Sequence, residues 1–226
     1  MVKKQAKKFF FSVEGETEMW YLQWLSQQIN TLGDAGFRAS FDIKIEKNPL
    51  SRIKGLQVLS KSDVFHVIDR ESEDSVHVQQ FATTLKQMRD AQRIGKAVSY
   101  KLGYSNFTFD LWMILHKINC NASFNYRHQY LNPINSAFQE RFSNMNDYKK
   151  EVNFKRLLNK LSLADVWAAV DRSDDIMIKN KKAGYIEQQY CGYRYYTINP
   201  SLSVGDMVKK TLSQCMVPRE FTRQQS

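Results

Sequence analysis

The 226-residue sequence predicts an α/β fold: a mostly parallel sheet flanked by helices, followed by a mainly helical C-terminal portion. In the first half, short runs rich in aromatic and β-branched residues alternate with stretches whose apolar residues recur every three or four positions. That alternation is the pattern of strands joined by crossover helices. Two of the runs, FFFSV and VFHVI, end directly in acids. After about Asn119 the texture changes to that of charged helices. The expected division is residues 1–118 for the sheet-bearing core and 119–226 for a helical extension packed on it.

Phe9–Val13 reads as a buried strand, with lysines before it and Gly15 after it. The lysine-rich residues 1–8 read as a frayed lead-in. Thr17–Leu32 reads as a helix, because Leu22, Leu25, Ile29 and Leu32 fall on one face. Gly33 and Gly36 end it. Phe37–Glu46 alternates, with Phe41, Ile43 and Ile45 apolar, as a half-buried strand does. Pro49 opens a short helix to about Leu59. Val64–Ile68 is a second buried strand; Val78, Phe81, Leu85 and Met88 mark the next helix, and Ala97–Tyr100 a short strand.

Phe107–Ile118 is apolar nearly all round, the mark of a buried helix. Charged helical patterns follow at Asn132–Phe142 and Phe154–Ile178. Tyr193–Ile198 alternates weakly as a strand, Asn199-Pro200 breaks it, and Ser203–Leu212 reads as a capped final helix.

Composition narrows the classes. With 42% hydrophobic and 13% aromatic residues, the chain has the material for a packed core and is not disordered by composition. No apolar run approaches the roughly 18–20 residues of a membrane span. The start, MVKKQAKKFFF, is basic and then apolar, but it meets Glu14 at once and has no small-residue cleavage site. A cytoplasmic protein with no membrane association is expected. Cys120, Cys191 and Cys215 are far apart and lack a CxxC pair, which points to free thiols rather than a disulfide framework or zinc site. A net charge of +10 suits a polyanionic partner, nucleic acid above all.

The acids that end the two strands are the candidate chemistry. In doubly wound sheets, sites form at the carboxyl ends of strands. Glu14 and Asp69 stand at such ends; Glu18 lies one helical turn beyond Glu14, and Glu71 two residues beyond Asp69. Gly15 suits a sharp strand-to-helix turn. Acids that converge this way repel one another unless a cation lies among them. Oxygen donors without His or Cys select a hard ion such as Mg2+ or Mn2+. A plainer reading stands beside this one: acids in the first turn of a helix also complement its dipole, and acids after strands are common in loops.

The segments VEGETE (Val13–Glu18) and VIDRE (Val67–Glu71) resemble the TOPRIM domain, whose pattern is a glutamate after the first strand and a DxD motif after a later one. Glu18, which closes EGETE, makes it more similar to OLD-type nucleases than to topoisomerases or primases. SNFTFDLWMILH (Ser105–His116) resembles the SNPxFExWLLLH signature of the RloB-like (AbiLii-like) family, and NPSLSVGDMVKK (Asn199–Lys210) is similar to that family's C-terminal helix start. Here the second acid of DxD is Glu71, the signature's proline is Phe107, and its glutamate is Asp110.

The resemblance implies a TOPRIM/Rossmann-like, Mg2+-dependent (or Mn2+-dependent) endonuclease. Glu14, Asp69 and Glu71 would ligate the metal, Glu18 would be a ligand or general base, and Asp110 and His116 would be further catalytic candidates. It also implies a prokaryotic antiphage or restriction-associated role, often beside an ATPase encoded alongside. The chain itself has no Walker A pattern.

Basic residues interleaved with aromatics suit phosphate contacts and base stacking. Lys149, Lys150, Lys155 and Arg156, with Lys179, Lys181, Lys182 and Arg194 further on, are therefore the candidate nucleic-acid contacts. The alternative function is a non-catalytic nucleic-acid-binding or regulatory subunit of an ATPase-containing defence complex.

Overall fold

A computed structural model describes residues 4–58 and 60–219. Its central sheet has five strands in the order β2-β1-β3-β4-β7. The strands are β1 (Ala6–Val13), β2 (Arg38–Ile45), β3 (Ser62–Asp69), β4 (Val98–Asn106) and the two-residue β7 (Ser201–Leu202). The first four are parallel, and β7 pairs antiparallel with the end of β4. Helices α1 (Glu16–Thr31), α2 (Pro49–Lys54) and α3 (Ser75–Ala91) are the crossovers. The strand order reverses between β1 and β3, so the carboxyl ends of these two strands flank the topological switch point.

The two faces of the sheet bury different sets of residues. On one face Phe9, Phe11, Val13, Phe65 and Val67 pack against α1 and the later helices. On the other, Phe10, Val64, Ile68, Tyr100 and Tyr104 pack against Ile53 of α2 and Phe81, Leu85 and Met88 of α3. Burial on both sides is why β1 and β3 are near-continuous apolar runs rather than alternating ones.

The helical half consists of α4 (Asp110–Leu115), a 3-10 turn (Arg127–Tyr130), α5 (Leu131–Phe138), α6 (Met145–Tyr148), α7 (Glu151–Leu158), α8 (Leu163–Lys182) and α9 (Val204–Gln214). Between α8 and β7 lies a small hairpin of β5 (Gln188–Tyr190) and β6 (Tyr193–Tyr195). One apolar cluster runs from Phe9 to Val217, so the helical half shares the core of the sheet.

Several expected bounds shift. The strand expected from Phe9 begins at Ala6, inside the supposed lead-in, whose residues 1–3 lie outside the described residues. Helix α2 stops at Lys54 before Gly55; its expected end at Leu59 also lies outside them. The helix expected over Phe107–Ile118 is confined to Asp110–Leu115 but is buried all round, as its composition requires. The pattern at Phe154–Ile178 is two helices, because Ser162 caps a new one with Asp165 closing the capping box. No helix among the described residues is long and apolar enough to cross a membrane.

Candidate active site

The switch-point crevice holds the acids. Glu14 follows β1 directly, and its Oε2 accepts a hydrogen bond from the backbone N–H of Asp69 at 2.9 Å. That bond ties the ends of β1 and β3 together. Asp69 Oδ1 accepts from the backbone N–H of Phe109 at 2.7 Å, so Asp69 also fixes the start of α4. Glu18, in the first turn of α1, is buried and accepts from the Thr17 hydroxyl at 3.1 Å. Gly15 is extended (φ −148°), and a Cβ there would stand 3.1 Å from Glu18 Oε2. Its value in the turn is therefore space for the Glu18 carboxylate, not a left-handed backbone.

Asp110 is fully buried at the start of α4. Its Oδ2 accepts from the Thr108 hydroxyl at 3.0 Å and faces Lys149 Nζ at 3.4 Å, while its Oδ1 has no partner. Glu71 turns outward to Arg127 Nη2 at 3.0 Å and to His77 Nε2 at 3.2 Å. Arg127 also reaches Asp69 Oδ2 at 3.6 Å. Glu14, Glu18, Asp69 and Glu71 line one cleft of about 260 Å3, together with Lys47, Arg127 and Lys149.

Electrostatics joins these acids. Burial, then the neighbouring charges of Glu18, Glu14 and Asp110, raises the Asp69 carboxyl well above its ordinary range, with Lys149 opposing. Burial also raises Glu18, with Lys149 and the Thr17 hydrogen bond opposing and Asp110 adding to the rise. Glu14 is raised by burial as well, against the Asp69 amide and Lys47 and with Glu18 and Glu71. Five carboxylates, Glu14, Glu18, Asp69, Glu71 and Asp110, are thus linked through their neighbours, and Lys47, Lys149 and Arg127 stand among them.

Among the described residues, no three His, Cys, Asp or Glu side chains are gathered as a ready metal shell. The geometry gives the reason: Glu14 is turned onto the Asp69 amide and Glu71 onto Arg127 and His77.

His116, expected as a further catalytic candidate, lies in the core. Its Nε2 is 3.1 Å from the Tyr21 hydroxyl and its Nδ1 2.9 Å from the Trp112 carbonyl; it lines no part of the cleft. Burial holds its pKa at about 4, so it is neutral near pH 7. Ser105 Oγ is buried without a partner among the described residues, and Asn106 Nδ2 donates to the carbonyls of Thr197 and Ile198.

The expected basic face is mostly paired. Lys150 binds Asp147, Lys155 binds Glu151, Arg156 binds Glu140, and Arg194 faces Glu187 at 3.7 Å. Lys179 reaches Asn121 at 3.4 Å, while Lys181 and Lys182 are exposed at the end of α8. Lys149 alone of this group enters the acid cleft. Arg127, His77 and Lys47 were not legible as site residues: each comes from a loop or helix start with no motif of its own, and only the fold brings it to the acids.

Acids at the switch point of a mostly parallel sheet define an α/β protein with a carboxylate-lined cleft. Residues 9–210 match the family described as RloB-like protein, and the chain belongs to that family. The match takes in the three segments VEGETE, VIDRE and SNFTFDLWMILH and extends to Lys210. No curated protein matches the sequence, and no solved structure does.

Proposed function

We propose that this protein is a divalent-metal-dependent nuclease that hydrolyses phosphodiester bonds of DNA or RNA. One observation carries the reading: the acids Glu14, Glu18, Asp69 and Asp110 are brought together, largely buried, at the switch-point crevice. Buried like charges are costly without a cation between them. Asp110 Oδ1 is buried without a close hydrogen-bond partner among the described residues, and the acids that could ligate offer only oxygen, which fits Mg2+ or Mn2+. Glu14, Asp69 and Glu71 would hold the ion, Glu71 after release from Arg127. Bound there, the metal would supply an activated water and charge stabilisation of the leaving oxygen.

The chain's own groups take the remaining tasks. Glu18, oriented by Thr17, would accept a proton from the attacking water. Asp110 would steady Lys149, and Lys149 and Arg127 would orient the phosphate. The TOPRIM relationship, the kinship with OLD-type nucleases, the antiphage or restriction-associated role and a companion ATPase are parts of this proposal. They rest on the motif resemblance.

A second reading has its own observation. Lys149 and Arg127 already lend positive charge to the acids, so the crevice can persist without metal, as in a non-catalytic nucleic-acid-binding or regulatory subunit. Incubation with plasmid, single-stranded DNA and tRNA, with and without Mn2+, separates the two. The nuclease reading expects Mn2+-dependent cleavage that Glu14→Ala and Asp69→Ala each lower by at least about 100-fold, no less than the loss of an outer-sphere partner causes. Oligonucleotide binding indifferent to metal, with no cleavage of any substrate, establishes the subunit reading instead.

A further inference from the structure

Beside the acid cleft lies a larger groove of about 880 Å3, lined by Phe124, Tyr126, Tyr185 and Ile186 among others. We infer that this groove takes an unpaired nucleic-acid strand, its bases on the aromatic walls and one phosphate at Arg127.

The walls are built for π-faces. Tyr126 is 63% exposed, Tyr185 48% and Ile186 76%. The Tyr126 ring lies nearly parallel to His128, with centroids 5.6 Å apart and planes 12° apart, and so presents its outer face as a flat platform. Bases of any sequence stack on such rings, and paired bases inside a duplex do not reach them.

Charge inside the groove points the same way. Arg70, the one lining cation among the described residues, is buried and engaged with Glu73 and the Thr197 carbonyl, while Glu71, Glu73 and Asp74 make that wall acidic. A duplex carries its phosphates outermost and would set them against these acids, whereas a single strand can turn its bases to the wall and its backbone away from it. The last turn of α8, with Lys181 and Lys182 exposed, runs directly into Gly184 and Tyr185 of the groove wall.

Continuity with the acid cleft supplies the direction of the strand. Glu71 lines both cavities. Tyr126 lines the groove, and its neighbour Arg127 lines the cleft, against Glu71 and Asp69. A base stacked on Tyr126 therefore carries an adjoining phosphate towards Arg127, one residue away. That this phosphate is the one cut rests on the nuclease reading; the strand binding does not.

Fluorescence anisotropy in EDTA tests the groove apart from cleavage. Labelled 12-mers of single-stranded DNA and RNA, and the duplex of the same sequence, are titrated with the full chain at one fixed salt concentration. Single strands are expected to bind at least about tenfold more tightly than the duplex. Tyr126→Ala should weaken single-strand binding about tenfold, the scale of one lost base stack, while Tyr126→Phe keeps it. Tyr126 is outside the core, so the alanine variant retains the fold. Equal affinity for duplex, no binding of any oligonucleotide, or no effect of Tyr126→Ala overturns the inference. Single-strand binding without Mn2+-dependent cleavage sinks the nuclease reading and leaves the groove standing; duplex cleavage indifferent to Tyr126→Ala does the reverse.

Discussion

Asp69 carries three structural tasks at once. Its amide holds Glu14, its Oδ1 opens α4, and its Oδ2 faces Arg127, all within a crevice of like charge. The raised Asp69 pKa comes first from burial and then from Glu18 and Glu14. A raised carboxyl pKa means that the folded state holds the proton more tightly than the unfolded one. The stability this group contributes is complete below the ordinary carboxylate pKa and is lost as pH rises through the raised value. At neutral pH the Asp69 charge is therefore a burden on the metal-free fold. Asp69→Asn keeps the Oδ1 acceptor and removes the charge. In EDTA at pH 7.5 its Tm should rise by about 2–4 °C, the equivalent of about 1 kcal/mol in a chain of this size. The gain should vanish near pH 4, and on the nuclease reading Mn2+-dependent cleavage should vanish with the charge. Scanning fluorimetry at the two pH values checks this; a lower Tm in EDTA at pH 7.5 would mean that the Arg127 contact outweighs the repulsion.

At the scale of elements, what could be read from sequence depended on whether a local pattern decides the structure. Strands β1 and β3 were legible because a parallel strand buried on both faces is a continuous apolar run, and the acids just beyond them marked the carboxyl edge. Strand β4 runs six residues past the expected Tyr100, through Gly103 and polar Ser105 and Asn106, whose pairing with β3 and β7 no propensity announces. The hairpin β5–β6 turns on Cys191 and Gly192, both at positive φ (52° and 89°), a tight turn that the cysteine disguised. Helices α8 and α9 meet at another feature invisible in sequence. A Cβ on Gly205 would stand 2.4 Å from Ser173 Oγ and 2.7 Å from Ser173 Cβ. Gly205→Ala should therefore destabilise the protein by about 1–3 kcal/mol in urea unfolding, the usual cost of overpacking. Adding Ser173→Gly should recover a large part of that loss, since the two sites share one contact. Additive losses in the double variant would place the strain elsewhere.

Taken whole, the molecule carries +10 net charge yet gathers acids at one crevice, and that contrast argues for a site rather than a surface. The acids themselves were visible in sequence, because strand ends place them. The cations among them were not: Lys149 and Arg127 come from the helical half, brought to the sheet by the shared core. A hard divalent ion bound there has to compete with protons on Glu14, Glu18 and Asp69, all of which bind protons more tightly than free carboxylates do. Mn2+ at about 100 times its Kd should add about 2.7 kcal/mol of stability. That corresponds to a Tm rise of about 5–10 °C for a chain of this length. Because the competing protons leave as pH rises, the shift at saturating total metal should be larger at pH 8 than at pH 5.5. Glu14→Gln combined with Asp69→Asn should erase it at both. A shift that survives the double variant assigns the ion to another place on the surface, and no shift at either pH leaves Lys47, Lys149 and Arg127 as the crevice's counter-charges, which is the metal-free subunit.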